Sequence, residues 1–149
     1  MTLKEELHQL CVSHVDDRLK TIEQTIHSHR KALTSETKSS AGDKHETGRA
    51  MLQLEMEKAG QQLQSVQQMK EVLARVDISK TSEVVSLGSV VETATASYFL
   101  SISAGQLTLN GKIYFAISTS SPIGRLLLGK RVGEDIVWNG RNIQIQKLS

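Results

Sequence analysis

Apolar residues in the first half of the chain recur at steps of three and four. They run Val12, Val15, Leu19, Ile22, Ile26 and Leu33, with His29 occupying one step, and then Leu52, Met56, Ala59, Leu63, Val66, Met69, Leu73 and Val76. That spacing is the narrow seam of a coiled coil rather than the wider stripe of a globular helix. Laid antiparallel, the two series match: Leu33 with Leu52, His29 with Met56, Ile26 with Ala59, Ile22 with Leu63, Leu19 with Val66, and Val12 with Leu73. The midpoint of every pair falls between Gly42 and Asp43, so the chain is expected to turn there, with residues 43–46 at the far end of a rod. Thr2 and Glu5 form a capping-box signature that opens the first helix, expected over residues 3–35. The second is expected from about 46 to 77, and at ~1.5 Å per residue each rod is about 50 Å long. The Ser- and Thr-rich run 34–41 breaks the helical pattern between them.

From Glu83 onward the period changes to two. Residues 83–92, 97–103, 106–109, 112–118, 134–138 and 142–148 read as strands. Two Asn-Gly pairs, Asn110-Gly111 and Asn139-Gly140, each separate two of them with a strong hairpin signal. Between the hairpins, Ser121 at a helix N-cap, Pro122 at the first helical position and Gly129 past the end mark one short helix. The expectation is an α+β protein in two parts. Residues 1–80 form an antiparallel coiled-coil hairpin with its tip near 39–46, and residues 81–149 form a small antiparallel β domain with one short helix.

Composition sharpens that division. All five aromatic residues, the single proline and seven of the ten glycines follow residue 80, whereas all five histidines precede it. Charges up to Lys80 are twelve basic and twelve acidic; after it they are six and four. A net charge of +2 is too small for broad coating of DNA or of anionic membranes. The only cysteine, Cys11, excludes an internal disulfide, suits a reducing compartment and reads as a small buried or seam-flanking residue. The charged N-terminal run is not a secretory signal, and no apolar run approaches the ~20 residues that span a bilayer. A soluble cytoplasmic protein without a membrane partner is expected.

Two carboxylates, Asp43 and Glu46, fall at the expected tip. Acidic residues spaced by three at a helix start satisfy free N–H groups and the helix dipole. Two carboxylates at the end of a rod could also be delivered into a partner's site to hold a divalent metal or orient water. Spacing alone leaves both readings open. A private metal site built from Asp43, His45 and Glu46 is short of the converging ligands that a metal needs. An independent enzyme is not indicated, since no Ser-His-Asp grouping or glycine-rich phosphate loop is evident.

Two motifs carry a family resemblance. The run Ser121-Pro122-Ile123-Gly124-Arg125-Leu126-Leu127-Leu128-Gly129-Lys130-Arg131-Val132-Gly133-Glu134 is similar to a signature of the bacterial Gre-type (GreA/GreB) transcript cleavage factors. Gly42-Asp43, with Glu46 three residues on, resembles that family's coiled-coil tip. The order of parts is also similar, an antiparallel coiled coil followed by an FKBP-like domain, and it covers nearly the whole chain. The resemblance implies a monomeric factor that inserts its coiled coil through the secondary channel of RNA polymerase. Asp43 and Glu46 would then share the polymerase's second catalytic Mg²⁺, activate water and stimulate the polymerase to cleave its own backtracked RNA. The factor would have no cofactor of its own, would not be an enzyme by itself and would lack prolyl isomerase activity. Lys44, His45 and Arg49 add positive charge beside the carboxylates, which could contact phosphate near the RNA 3′ end or merely solvate the tip. Ser121, Pro122, Gly129, Lys130 and Gly133 carry the C-terminal motif, with Ser121, Pro122 and Lys130 as candidate polymerase contacts at the channel rim; Pro122 and the glycines serve backbone geometry first, and Lys130 also reads as a solvated surface lysine.

Thr47, Gly48, Arg49 and Ala50 depart from the family's usual Asn-Ala and acidic-aromatic residues after the tip. The departure keeps open a channel-occupying regulator that does not stimulate cleavage. A reading of another class is a coiled-coil interaction module unrelated to transcription.

Overall fold

The computed structural model describes the backbone of residues 1–38 and 43–149 and the side chains of residues 1–35 and 47–149. Its elements are α1 (Leu3–Lys38), α2 (Asp43–Arg75), β1 (Val90–Thr93), β2 (Ser97–Ser101), β3 (Gly105–Leu109), β4 (Lys112–Ser118), α3 (Pro122–Leu127), β5 (Asp135–Trp138) and β6 (Arg141–Leu148). Two long helices followed by a sheet with one short helix make an α+β protein. The turn expected at Gly42 lies outside the described residues.

By contact the chain divides into two units. One joins Met1–His14 to Lys70–Ser149, and the other is Val15–Met69. In the second, α1 and α2 bury Val15, Ile22, Ala59 and Val66. Leu19, Ile26, Leu33, Leu52, Met56, Leu63 and Met69 are half-buried along the same seam. Arg18 Nη1 reaches Met69 Sδ at 3.9 Å. The sequence pairing puts Gln67 opposite Arg18, so this contact falls within one helical turn of expectation.

In the first unit α1 opens as its capping box predicts. Glu5 N donates to Thr2 Oγ1 at 3.2 Å, and Thr2 N donates back to the Glu5 carboxylate at 3.3 Å. Here Leu7, Cys11 and Leu73 are buried, while Val12 is only half-buried. The seam read from sequence therefore shifts by one position at this end. The cause is that these α1 residues also meet groups beyond α2. Cys11 Sγ lies 3.7 Å from Ser101 Oγ of β2, and Lys4 Nζ donates to the Lys80 carbonyl. His8 Nε2 donates to the Leu73 carbonyl at 2.9 Å; since a carbonyl only accepts, Nε2 carries the proton. Beyond α2, the Asp77 carboxylate accepts from the Ser79 hydroxyl at 2.6 Å and from the Ser79 N–H at 3.0 Å. Those two bonds hold its pKa below the ordinary carboxylate value.

The sheet has six strands in the order β3-β4-β2-β1-β6-β5. Four of its pairings are antiparallel. The fifth, β2 with β4, is parallel and pairs Tyr98 with Phe115 and Leu100 with Ile117. Strand β4 lies between β3 and β2, so the chain leaves β2, passes to the edge and returns beside it in the same direction. Both Asn-Gly pairs form their turns with positive φ: Asn110 at 52° and Gly111 at 76°, Asn139 at 51° and Gly140 at 74°. The strand expected over 83–92 is ordered as a ladder only from Val90. Before it, Gly88 takes φ 89°, and Val85 bonds to the backbone after α3 rather than to a neighbouring strand.

One face of the sheet carries the core. Val91, Tyr98, Leu100, Ile136, Ile143 and Ile145 pack with Val85 and with Ile123 and Leu127 of α3. Strand alternation sends Val90, Phe99 and Ala116 to the opposite face, where they are also buried. A buried two-sided sheet explains why β2 reads as a nearly continuous apolar run rather than an alternating one.

Candidate functional site

The backbone of α2 is helical from Asp43, three residues earlier than the sequence pattern predicts. Positions 43 and 46 are thus both in the first turn of α2. The side chains of Asp43, Lys44 and Glu46 lie outside the described residues. Arg49, in the second turn, is exposed, as is Thr47 beside it, and Gly48 is half-buried. His29, the polar member of the seam, is half-buried, and its Nδ1 is enclosed without a hydrogen-bond partner among the described residues.

The second candidate region is α3 and the turn that follows it. Ser121 caps the helix from an extended conformation (φ −66°, ψ 158°). Its Oγ accepts from Gly124 N at 3.1 Å and donates to the Ser118 carbonyl at 2.6 Å. Pro122 follows at the first helical position, where its missing N–H costs nothing. Gly124 is required by space: a Cβ there would stand 2.1 Å from the Ser118 carbonyl oxygen. Ile123 and Leu127 point into the core. Gly129, at φ 80°, turns the chain out of the helix, and its N–H donates to the Val85 carbonyl at 2.9 Å. The carbonyl of Lys130 then accepts from Val85 N at 2.8 Å. Glu134 closes the segment by accepting from Arg131 N at 3.1 Å through its carboxylate.

Several members of the Ser121–Glu134 run therefore have local work. Ser121 spends its hydroxyl on the cap, and Lys130 is half-buried, with its backbone tied to Val85. Pro122 is exposed. Three apolar side chains of the same run, Leu126, Leu128 and Val132, are also exposed, at 37%, 38% and 55%. Sequence reasoning missed these three because they sit in a run whose other apolar members enter the core.

The charges of the β domain are mostly satisfied at the surface. Glu92 lies between Lys112 and Lys147, and Arg131 pairs with Glu83 at 3.5 Å. The Glu92 carboxylate raises the Lys112 pKa, and the same amine stands 5.2 Å from the centre of the Tyr114 ring. The Arg131–Glu83 pair, exposed on both sides, contributes little to stability. Burial raises the Cys11 thiol and the Tyr98 phenol. Among the described residues no group of three or more His, Cys, Asp or Glu is placed to hold a metal ion. Among them, too, no helix is long and apolar enough to cross a membrane.

No protein-family model matches the chain. No curated protein sequence matches it. Among solved structures the chain is similar to one described as the structure of the transcription factor Gfh1, with 23% identity over 88% of this chain and 92% of that one, and a TM-score of 0.34.

Proposed function

We propose that the chain is a Gre-type factor that enters the secondary channel of RNA polymerase and stimulates cleavage of backtracked RNA through Asp43 and Glu46. The observation that carries this reading is that α2 begins at Asp43. Both carboxylate-bearing positions then fall in the first turn of the second helix, where the Gre-like motif has its tip. Two carboxylates can supply only part of the roughly six oxygen ligands that Mg²⁺ takes, so the remaining ligands belong to the polymerase. Bound there, Mg²⁺ supplies Lewis-acid activation of water and neutralises phosphate charge. The chain's own part is to present Asp43 and Glu46 as ligands and as acceptors that orient the attacking water. Lys44 and Arg49 hold the phosphate of the displaced RNA 3′ end. At the other region, the exposed Pro122, Leu126, Leu128 and Val132, with Lys130 beside them, provide the surface that rests against the channel rim.

The test is RNA cleavage in a backtracked elongation complex of the cognate polymerase, comparing wild type with Asp43→Ala and Glu46→Ala. Cleavage by wild type, lost in both variants while polymerase binding persists, supports the reading. Wild-type binding without cleavage replaces it with a channel-occupying regulator. That second reading is favoured by one specific feature, the Thr47-Gly48-Arg49 sequence, which puts an exposed cation and a glycine one turn from the carboxylates. A pull-down that returns no polymerase subunits turns the chain into an interaction module of another kind.

A further inference from the structure

The turn of the β1–β2 hairpin and the Asn139-Gly140 turn of the β5–β6 hairpin border a cleft of about 360 Å³. Its walls are Thr95, Tyr98, Trp138, Asn139, Arg141 and Ile143. None of these residues belongs to the first turns of α2 or to the Ser121–Glu134 run, although Tyr98 and Ile143 also take part in the core. Trp138 and Arg141 are directly opposed across the hairpin ladder, so their placement is fixed by the turn. Tyr98 is held from behind by Phe115, with ring centres 6.1 Å apart, and is only 8% exposed. Its hydroxyl has no hydrogen-bond partner among the described residues. It is not sealed off either, since His29 Nδ1 is the one enclosed polar side-chain atom there that lacks a partner. Arg141 is exposed and makes no ion pair among the described residues, and it is the only charged residue on the cleft wall.

We infer that this cleft is a docking site for an acidic peptide segment of a partner protein, one that places an apolar side chain on Trp138 and Ile143 and a carboxylate on Arg141. Tyrosine, tryptophan and arginine around a concave apolar floor are the residue types that dominate binding energy at protein interfaces. The Arg141 guanidinium only donates, so an acceptor on the occupant completes it, while the Tyr98 hydroxyl and the Asn139 carboxamide can donate to that occupant or accept from it. Arginine favours a carboxylate bound through two parallel hydrogen bonds. A single cation argues against nucleic acid, whose binding rests on neutralising several phosphates at once. The cleft volume suits one or two side chains rather than a folded surface. This site is independent of the transcription reading and stands or falls without it.

Trp138 is the only tryptophan in the chain, so its emission reports the cleft directly. The full chain is titrated with the blocked peptide acetyl-Gly-Leu-Asp-Leu-Glu-Gly-amide, with its Asn/Gln counterpart, and with hexauridylate. The expected result is a saturable change in emission with the acidic peptide. Arg141→Gln should weaken it by about tenfold or more, as should the Asn/Gln peptide, because a charge-assisted bidentate pair is lost. Tyr98→Phe should weaken it by roughly threefold, the worth of one neutral hydrogen bond. Arg141→Lys should recover part of the loss, and Lys147→Gln should leave binding unchanged. No saturable response to the acidic peptide overturns the inference. So does undiminished binding by Arg141→Gln, or tighter binding of hexauridylate than of the acidic peptide.

Discussion

The Cα of Gly124 stands so near the carbonyl oxygen of Ser118 that a Cβ at this position would lie 2.1 Å from it. The closeness follows from the Ser121 cap, whose hydroxyl binds Ser118 on one side and Gly124 on the other. An added methyl must push either the backbone of the β4 exit or the cap itself. Gly124→Ala is expected to cost at least about 3 kcal/mol, at the upper end of overpacking effects. Gly129→Ala, with φ 80° but open space around it, should cost only about 1 kcal/mol. Urea unfolding followed by Trp138 emission checks the order; equal losses would refute the steric account.

Cys11 is fully buried, its thiol facing Ser101, and burial raises its pKa. Both features withhold the reactive thiolate. Native protein should therefore react with a disulfide reagent such as dithiobisnitrobenzoate at pH 8 at least ~100-fold more slowly than urea-unfolded protein, because reaction must await opening. A rate close to that of the unfolded chain would contradict the packing described.

The register of the helical pair can be read with cysteines. In a Cys11→Ser background, Ile26→Cys with Ala59→Cys should form a disulfide, whereas Ile26→Cys with Leu73→Cys should not. Bridging requires Cα atoms within roughly 7 Å. A reversed pattern would discard the antiparallel pairing.

Tyr98 gives the β domain a signature at high pH. Its phenol pKa is raised above the ordinary 10.0 by burial, so the unfolded chain loses this proton first. The stabilisation is fully present below pH 10.0 and is lost as pH rises through the native value. Urea midpoints measured from pH 8 to 11 should fall in wild type and fall less steeply in Tyr98→Phe. Parallel curves would show that the phenol is as well solvated in the native state as in the unfolded one.

Much of this arrangement was legible in the sequence, and the exceptions share a cause. The helical pair followed from local steps of three and four, and both Asn-Gly turns followed from the φ > 0 that their chemistry tolerates. Ser121, Pro122 and Gly129 marked α3 because caps are local. What the pattern hid is non-local. Val85 looked like part of a strand, yet its hydrogen bonds go to Gly129 and Lys130. The parallel run of β2 beside β4 depends on which strand the chain returns to, a choice that alternation does not encode. Leu7 was overlooked because the register was drawn from Val12 onward, although it is among the most deeply buried residues, whereas Cys11 is buried as its setting in the helical pattern suggested. The aromatic cleft was invisible for the same reason, since Thr95 and Trp138 come from separate hairpins. For the tip, the sequence supplied Asp43 and Glu46, and the structure adds the start of α2 beneath them.

The grouping of Met1–His14 with Lys70–Ser149 has a consequence for how the chain is made. A ribosome releases His8 and Cys11 early, but their partners Leu73 and Ser101 emerge much later. The stretch from Val15 to Met69 carries its own complementary seam and can zip as soon as it has left the exit tunnel, from local contacts alone. The opening turns of α1 must meanwhile wait with their apolar side chains uncovered. Ribosome pausing or premature termination before residue 101 would strand that surface, making it the natural first target for a holding chaperone.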